Sequence, residues 1–241
     1  MNISTKSAIC AKQNLPDKTY RHELKYELNR DKAKLLRARV RLLLPPDANA
    51  GPDDSYLVKS LYFDTPDRKD YLEKELGLAC RQKIRLRGYG DGDAFKLEIK
   101  RKVGDVATKY VTALSRSEAE EVAAGQYHCL LAKQDPQALL IYEQLKTYAY
   151  RPFAVIFYTR SAYTRPEGNL RITFDEDLRY SPSVQSLFDP AAQPASASLK
   201  SVVEIKYDDF APIWLTNYLV SFGLNASENS KYSAVSHCLF D

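Results

Sequence analysis

Arg81, Lys83, Arg85 and Arg87 occupy every second position of one short segment, with Ile84 and Leu86 between the last three. Lys96, Glu98, Lys100 and Lys102 repeat the pattern around Leu97 and Ile99. Arg21-Glu23-Lys25-Glu27, Arg171-Thr173-Asp175 and Lys200-Val202-Glu204-Lys206 follow the same alternation. Guanidinium forks and ammonium groups are phosphate-holding chemistry. Carboxylates set among them either pair with the cations or hold a divalent ion beside phosphate oxygens. Phosphoryl transfer needs little more than positioned charge, because its transition state is loose. Neither a Ser-His-Asp arrangement nor a phosphate-binding glycine loop accompanies these residues.

Side chains at i, i+2 and i+4 share one face of a strand. The alternation predicts strands over 20–28, 57–64, 79–90, 94–102, 106–114, 152–165, 169–177 and 197–207. Each has one apolar face and one ionic face. Tyr89-Gly90-Asp91-Gly92-Asp93 reads as a hairpin turn, so the strands from 79 to 114 form a meander. Helices are expected between strands. Asn29 caps one that Pro45-Pro46 ends. Thr65-Pro66 opens a second, with Pro66 at its first position and Gly77 after its end. Ser115-Arg116-Ser117-Glu118 is a capping box with Gly125 beyond the helix. Asp135-Pro136 opens a helix to about Tyr148, Asp209 opens one to Gly223, and 228–239 is helical. Residues 180–196 read as a long loop. The fold class is therefore α+β, an eight-stranded antiparallel β-barrel tunnel with helices packed on the outside. So many charges cannot be buried dry. They line a wet tunnel, or else they form the solvated face of an open sheet.

The 241 residues fit one domain over 20–241 behind a flexible leader, 1–19. The net charge of +4 is too small to announce a polyanion partner by itself, so the clustering of the cations is the informative fact. Four dispersed cysteines and three histidines give no zinc-ligand spacing, and a cytoplasmic location is expected. No apolar stretch reaches membrane-span length. The seventeen tyrosines are scattered rather than interleaved with cations, which argues against nucleic acid.

Read in order, RHELKYEL, VKSLYFDTPD, RQKIRLRGYG, FKLEIKRK, TKYVTAL, FYTRSAY, LRITFDEDL, VVEIKYDDF and SKYSA resemble a VTC domain. That is the polyphosphate polymerase module of the vacuolar transporter chaperone type, within the CYTH and triphosphate tunnel metalloenzyme superfamily. The resemblance runs from Tyr20 to Leu239. Where the wider superfamily begins Glu-x-Glu-x-Lys, this chain has Arg21-His22-Glu23-Leu24-Lys25, so a cation replaces one carboxylate. The resemblance implies a bacterial, metal-dependent enzyme that moves the γ-phosphoryl group of ATP onto a growing polyphosphate chain.

It also implies roles. Arg85, Arg87, Lys100, Arg160 and Glu204 form the candidate catalytic set. Lys25, Tyr62, Lys109, Arg171, Lys206 and Lys231 are the candidate substrate-binding set. Glu204 and Glu98 are the candidate metal ligands, for Mn²⁺ or Mg²⁺. Lys25 and Lys100 face inward by parity alone. Lys109 does not fit so simply, because Thr108-Tyr110-Thr112 reads as the polar face of its strand and a bulge would be needed to re-aim the lysine. Glu23 and Asp175 are inward acids suited to holding neighbouring cations. The expected partners are ATP and polyphosphate. A membrane-protein partner stays open, and the oligomeric state is not legible. Two alternatives stand beside the polymerase: a hydrolase of inorganic triphosphate or nucleoside triphosphate, and a polyphosphate-binding module without catalysis.

Overall fold

The computed structural model describes residues 21–104, 106–222 and 230–240, without the side chain of Arg21. The expected leader lies outside the described residues. Strands β1 (Arg21–Leu28), β2 (Ser55–Asp64), β3 (Cys80–Tyr89), β4 (Phe95–Val103), β5 (Val106–Leu114), β6 (Arg151–Arg165), β7 (Leu170–Ser181), β8 (Ala195–Ser198) and β9 (Ser201–Asp208) form one antiparallel sheet. Its order is β1-β9-β7-β6-β2-β3-β4-β5, with β8 also on β7. The strand expected over 197–207 is broken at Leu199-Lys200, where the pairing along β7 shifts register between Leu178 and Arg179. β7 itself runs to Ser181, into the stretch expected to be loop.

The sheet curls, and the ionic face is the concave one. Lys100 on β4 lies 3.4 Å from Glu23 on β1, although the two strands stand six steps apart in the sheet order. Only a sheet bent onto itself brings those side chains together. The edge strands β1 and β5 share no backbone pairing among the described residues. Among the described residues one side-chain ion pair, Lys100 to Glu23, rather than a hydrogen-bond ladder spans the seam.

Helices cover the convex face, where the apolar residues of the alternation point. Helix α1 (Arg30–Leu43) buries Ala33, Leu36 and Val40 against Ile172, Phe174, Val203 and Ile205 of the sheet. Helices α3 (Arg116–Ala123), α4 (Cys129–Ala132) and α5 (Pro136–Thr147) cover Ile84, Leu86, Leu97 and Ile99. Helix α2 (Lys69–Glu75) packs on β3, α6 (Ile213–Ser221) on the α1 side, and α7 (Lys231–Phe240) against α2 and β6.

The caps explain most helix starts. The Asn29 side chain accepts from the Lys32 amide at 2.9 Å. Ser115 and Glu118 form the reciprocal box. Asp135 accepts from the Gln137 amide ahead of Pro136. Each such cap contributes about 1 kcal/mol. Two starts differ from expectation. Pro66 sits in a turn, and α2 begins only after Arg68, which is left-handed at φ 57°. Thr65 still caps that helix, accepting from the Lys69 amide at 2.9 Å. Asp209 does not open α6. Pro212 precedes the helix, and a residue before proline is held out of the helical region, so the helix starts at Ile213. Its expected end at Gly223, and residues 228 and 229 of the last helix, lie outside the described residues.

Candidate functional site

On the concave face β3 presents Lys83, Arg85 and Arg87 in a row, about 7 Å apart. Arg85 donates from Nε to Glu98 Oε2 at 2.7 Å and from Nη1 to the Tyr62 hydroxyl at 3.4 Å. Lys109 takes the other Glu98 oxygen at 2.5 Å. Burial alone would raise the Glu98 carboxyl, but Arg85, Arg87 and Lys109 hold it at about 2. Arg87 is different. It is buried, and it donates only to hydroxyls, Ser60 Oγ at 3.2 Å and Tyr158 at 3.1 Å. Lys83 likewise donates to Ser230 Oγ at 2.5 Å and stands 5.5 Å from the Tyr232 ring centroid. Neither has a carboxylate partner among the described residues. Hydroxyls orient these cations without forming a salt bridge, and Arg87 keeps a longer-range attraction to Glu98. Burial, with Lys25 and Lys74 adding repulsion, lowers the Lys83 ammonium to about 8.

Across the channel β1 and β9 bring two carboxylates side by side. Glu23 and Glu204 interact directly, with Lys25 at 2.6 Å from Glu23 and Lys206 at 3.2 Å from Glu204. Lys100 and Lys206 also approach Glu23, at 3.4 and 3.7 Å. Burial opposes ionisation of Glu23, but the contact with Glu204 and the three lysines hold its carboxyl well below the usual range. Burial lowers the Lys100 ammonium, only partly offset by Glu23.

A third cluster gathers around Asp175. The Asp175 carboxylate is fully enclosed and accepts twice from Arg160, at 2.6 and 2.8 Å, and once from Lys231 at 2.5 Å. These two cations hold it at about 2 against the upward push of burial. The first turn of α7 is fastened to the channel by consecutive residues: Ser230 to Lys83, Lys231 to Asp175, and Tyr232 to the buried Asp64. The Tyr232 ring stacks on Tyr62 at 5.2 Å. Burial would raise the Tyr62 phenol, but Arg85, Arg87 and Lys83 bring it down to about 8. Arg171 is held by Asp47 at 2.7 Å, which the Tyr56 hydroxyl also contacts at 3.2 Å.

The expected site residues thus separate by environment. Arg85, Arg87, Lys100, Glu204, Lys25, Lys109, Lys206 and Tyr62 meet on one concave surface. Arg160 and Lys231 join it through Asp175, and Arg171 is fixed by Asp47. Lys109 reaches the channel without a bulge. The tight turn that pairs Val103 with Val106 sets Lys109 opposite Lys100. The hydroxyl-bearing side of β5 is the covered one: Thr112 is buried and Tyr110 packs on the helical core. Simple polarity misread that strand because threonine and tyrosine serve equally well under a helix. Sequence reasoning missed Ser60, Tyr158, Ser230 and Asp47. Hydroxyls that orient a cation leave no charge pattern to read.

Glu98 does not behave as a metal ligand here, since both its oxygens are taken by Arg85 and Lys109. No cluster of three or more metal-binding side chains occurs among the described residues. Both Glu23 oxygens are likewise engaged by lysines, whereas the ion pairs of Glu204 to Lys25 and Lys206 both fall on Oε1. Glu204 is therefore the carboxylate that best fits a divalent cation of the Mg²⁺ or Mn²⁺ type, and such ions need only one or two carboxylates when phosphate oxygens and water supply the rest.

A curled antiparallel sheet with a basic concave face and helices outside is the triphosphate tunnel fold. A putative adenylyl cyclase from Hippeastrum, described as having a dominant triphosphatase activity, superposes with a TM-score of 0.55 at 14% identity, over 90% of this chain and 95% of that one. A putative adenylate cyclase from Bacillus halodurans gives 0.52 at 13% identity, over 86% and 92%. The chain belongs to the VTC domain family, whose profile matches residues 20–240. No curated protein sequence matches it.

Proposed function

We propose that this protein is a metal-dependent polyphosphate polymerase that transfers the γ-phosphoryl group of ATP to a growing polyphosphate chain. The observation that carries this reading is the pair of channel cations, Arg87 and Lys83, held by hydroxyls and without a direct salt bridge among the described residues. Together with Arg85 they form a graded row along one strand, suited to several linked phosphates rather than one. Arg160 still has a free guanidinium edge after its bidentate bond to Asp175. Lys25 and Lys206 add ammonium groups on the opposite wall, and Lys100 and Lys109 add them on β4 and β5, the strands that follow β3 in the sheet. The acceptor, a terminal phosphate, is already ionised and needs no protein base. The cations hold donor and acceptor in line and stabilise charge on the transferring oxygens. A divalent ion carried by Glu204 would neutralise non-bridging oxygens. A cytoplasmic setting fits the free thiols of Cys129 and Cys238. No described helix is long and apolar enough to cross a membrane.

Hydrolysis of triphosphate is the second reading. It is favoured by Tyr62 and Lys83, which both titrate at about 8 inside the channel and so can exchange a proton with water near neutral pH. The triphosphatase description of the Hippeastrum protein points the same way. Incubation with ATP and Mn²⁺ separates the readings. Polyphosphate with stoichiometric ADP supports the polymerase, and free phosphate without chains supports the hydrolase. Tight polyphosphate binding with neither product leaves a binding module.

A further inference from the structure

Helix α1 has two apolar sides. One, through Ala33, Leu36 and Val40, is buried in the core. On the opposite side Leu35, Ala38 and Leu42 recur at i, i+3 and i+7, which is a single helical face. That face stands in water: Leu42 is 84% exposed and Leu35 51%. At 100° per residue, Arg30, Lys34 and Arg41 lie along one flank of the stripe, and Lys32 and Arg39 along the other. The helix holds six cations and one acid, Asp31. Only Arg37 and Arg41 find carboxylates among the described residues, Glu176 at 2.9 Å and Asp54 at 2.6 Å.

Helix α6 packs against the Lys32–Arg39 flank: the Arg39 guanidinium lies 5.2 Å from the Tyr218 ring centroid and 5.8 Å from that of Phe222. Helix α6 has no charged residue at all and leaves Ile213 and Val220 mostly exposed. Phe210, just before it, is 88% exposed.

We propose that the outer face of α1 docks on an anionic lipid bilayer. Leucines that stand out between two rows of cations match the acyl boundary and the headgroup phosphates of such a surface together. A second copy of this chain fits poorly, because it would set cations against cations. A nucleic acid or free polyphosphate would satisfy the cations and leave the leucines in water. The site is separate from the channel, so the whole protein can hold substrate and membrane at once.

The test is co-sedimentation of the full chain with phosphatidylcholine vesicles, with and without phosphatidylserine, in saturating tripolyphosphate so that the channel is filled. Binding is expected only with phosphatidylserine, and it should weaken as salt rises. Lys32→Gln and Lys34→Gln should each lower affinity roughly fivefold. Leu42→Gln should lower it by a similar factor while the melting temperature stays unchanged. Equal sedimentation with pure phosphatidylcholine, no sedimentation at all, loss of binding when tripolyphosphate is added, or wild-type binding by Leu42→Gln would each overturn the proposal. A lipid-free dimer that Leu42→Gln dissolves would also overturn it, in favour of a second copy.

Discussion

Replacing Glu98 with glutamine removes one negative charge and leaves Arg85 and Lys109 facing each other uncancelled. The carboxyl is held at about 2 rather than its ordinary 4.5, a difference worth ~3 kcal/mol at most. Lys109 is about half exposed, so solvent screening reduces its share. About 1–3 kcal/mol should remain, which for a chain of this size lowers the melting temperature by roughly 3–10 °C. A depressed carboxyl stabilises the fold above its ordinary range and stops doing so as pH falls toward 2. The deficit of the variant should therefore be full at neutral pH and fade on acidification. Tripolyphosphate brings its own negative charge to Arg85 and Lys109. The thermal shift it induces should accordingly be larger in Glu98→Gln than in the parent, narrowing the gap between them. Differential scanning fluorimetry at several pH values, with and without tripolyphosphate, reads all three effects. An unchanged melting temperature, or a gap that tripolyphosphate leaves untouched, would refute the assignment of Glu98 as the clamp between the two cations.

Glu204→Gln should abolish metal-dependent turnover while sparing polyphosphate binding; product analysis beside a binding titration checks this, and full turnover would remove Glu204 as the metal ligand. Affinity for tripolyphosphate should fall as pH rises through about 8, because Lys83 loses its proton and Tyr62 gains a negative charge. Lys83→Arg, whose charge persists, should flatten part of that decline in calorimetric titrations. Asp70 is buried with one oxygen unpartnered, and burial raises its carboxyl to about 8 despite the hydroxyl donated by Tyr150 at 2.6 Å. The folded state then keeps a proton that the unfolded chain releases, so stability drains away between the ordinary carboxylate range and pH 8. Asp70→Asn should melt at or above the parent temperature at pH 8 and show a flatter pH profile.

The alternation of charged and apolar residues made the sheet and its two-sidedness legible, because one buried face imposes a period of two on every strand. Arg85, Lys100, Lys25 and Glu204 could be assigned inward by counting. Curvature could not be counted, since nothing local says that Lys100 will meet Glu23 across the sheet. Tight turns and burial under helices decided what composition left open, as with Lys109 on β5. The separation of Glu98 from Glu23 and Glu204 was equally hidden. All three are acids on strands rich in cations, and only distance shows which one is consumed by arginine. Helix starts followed their caps wherever no proline or left-handed residue intervened, and they shifted where Pro66, Arg68 and Pro212 did intervene.

The most direct measurement is calorimetric titration of tripolyphosphate into the parent protein and into Arg87→Met, which keeps a long buried side chain and deletes the hydroxyl-held charge. One site per chain is expected, with an affinity that falls steeply as salt rises. Arg87→Met should bind at least tenfold more weakly, in line with the loss of a charge-assisted hydrogen bond of about 1.5–3 kcal/mol. Equal affinity for the two proteins, or no binding to the parent, would contradict a concave face built to grip linked phosphates.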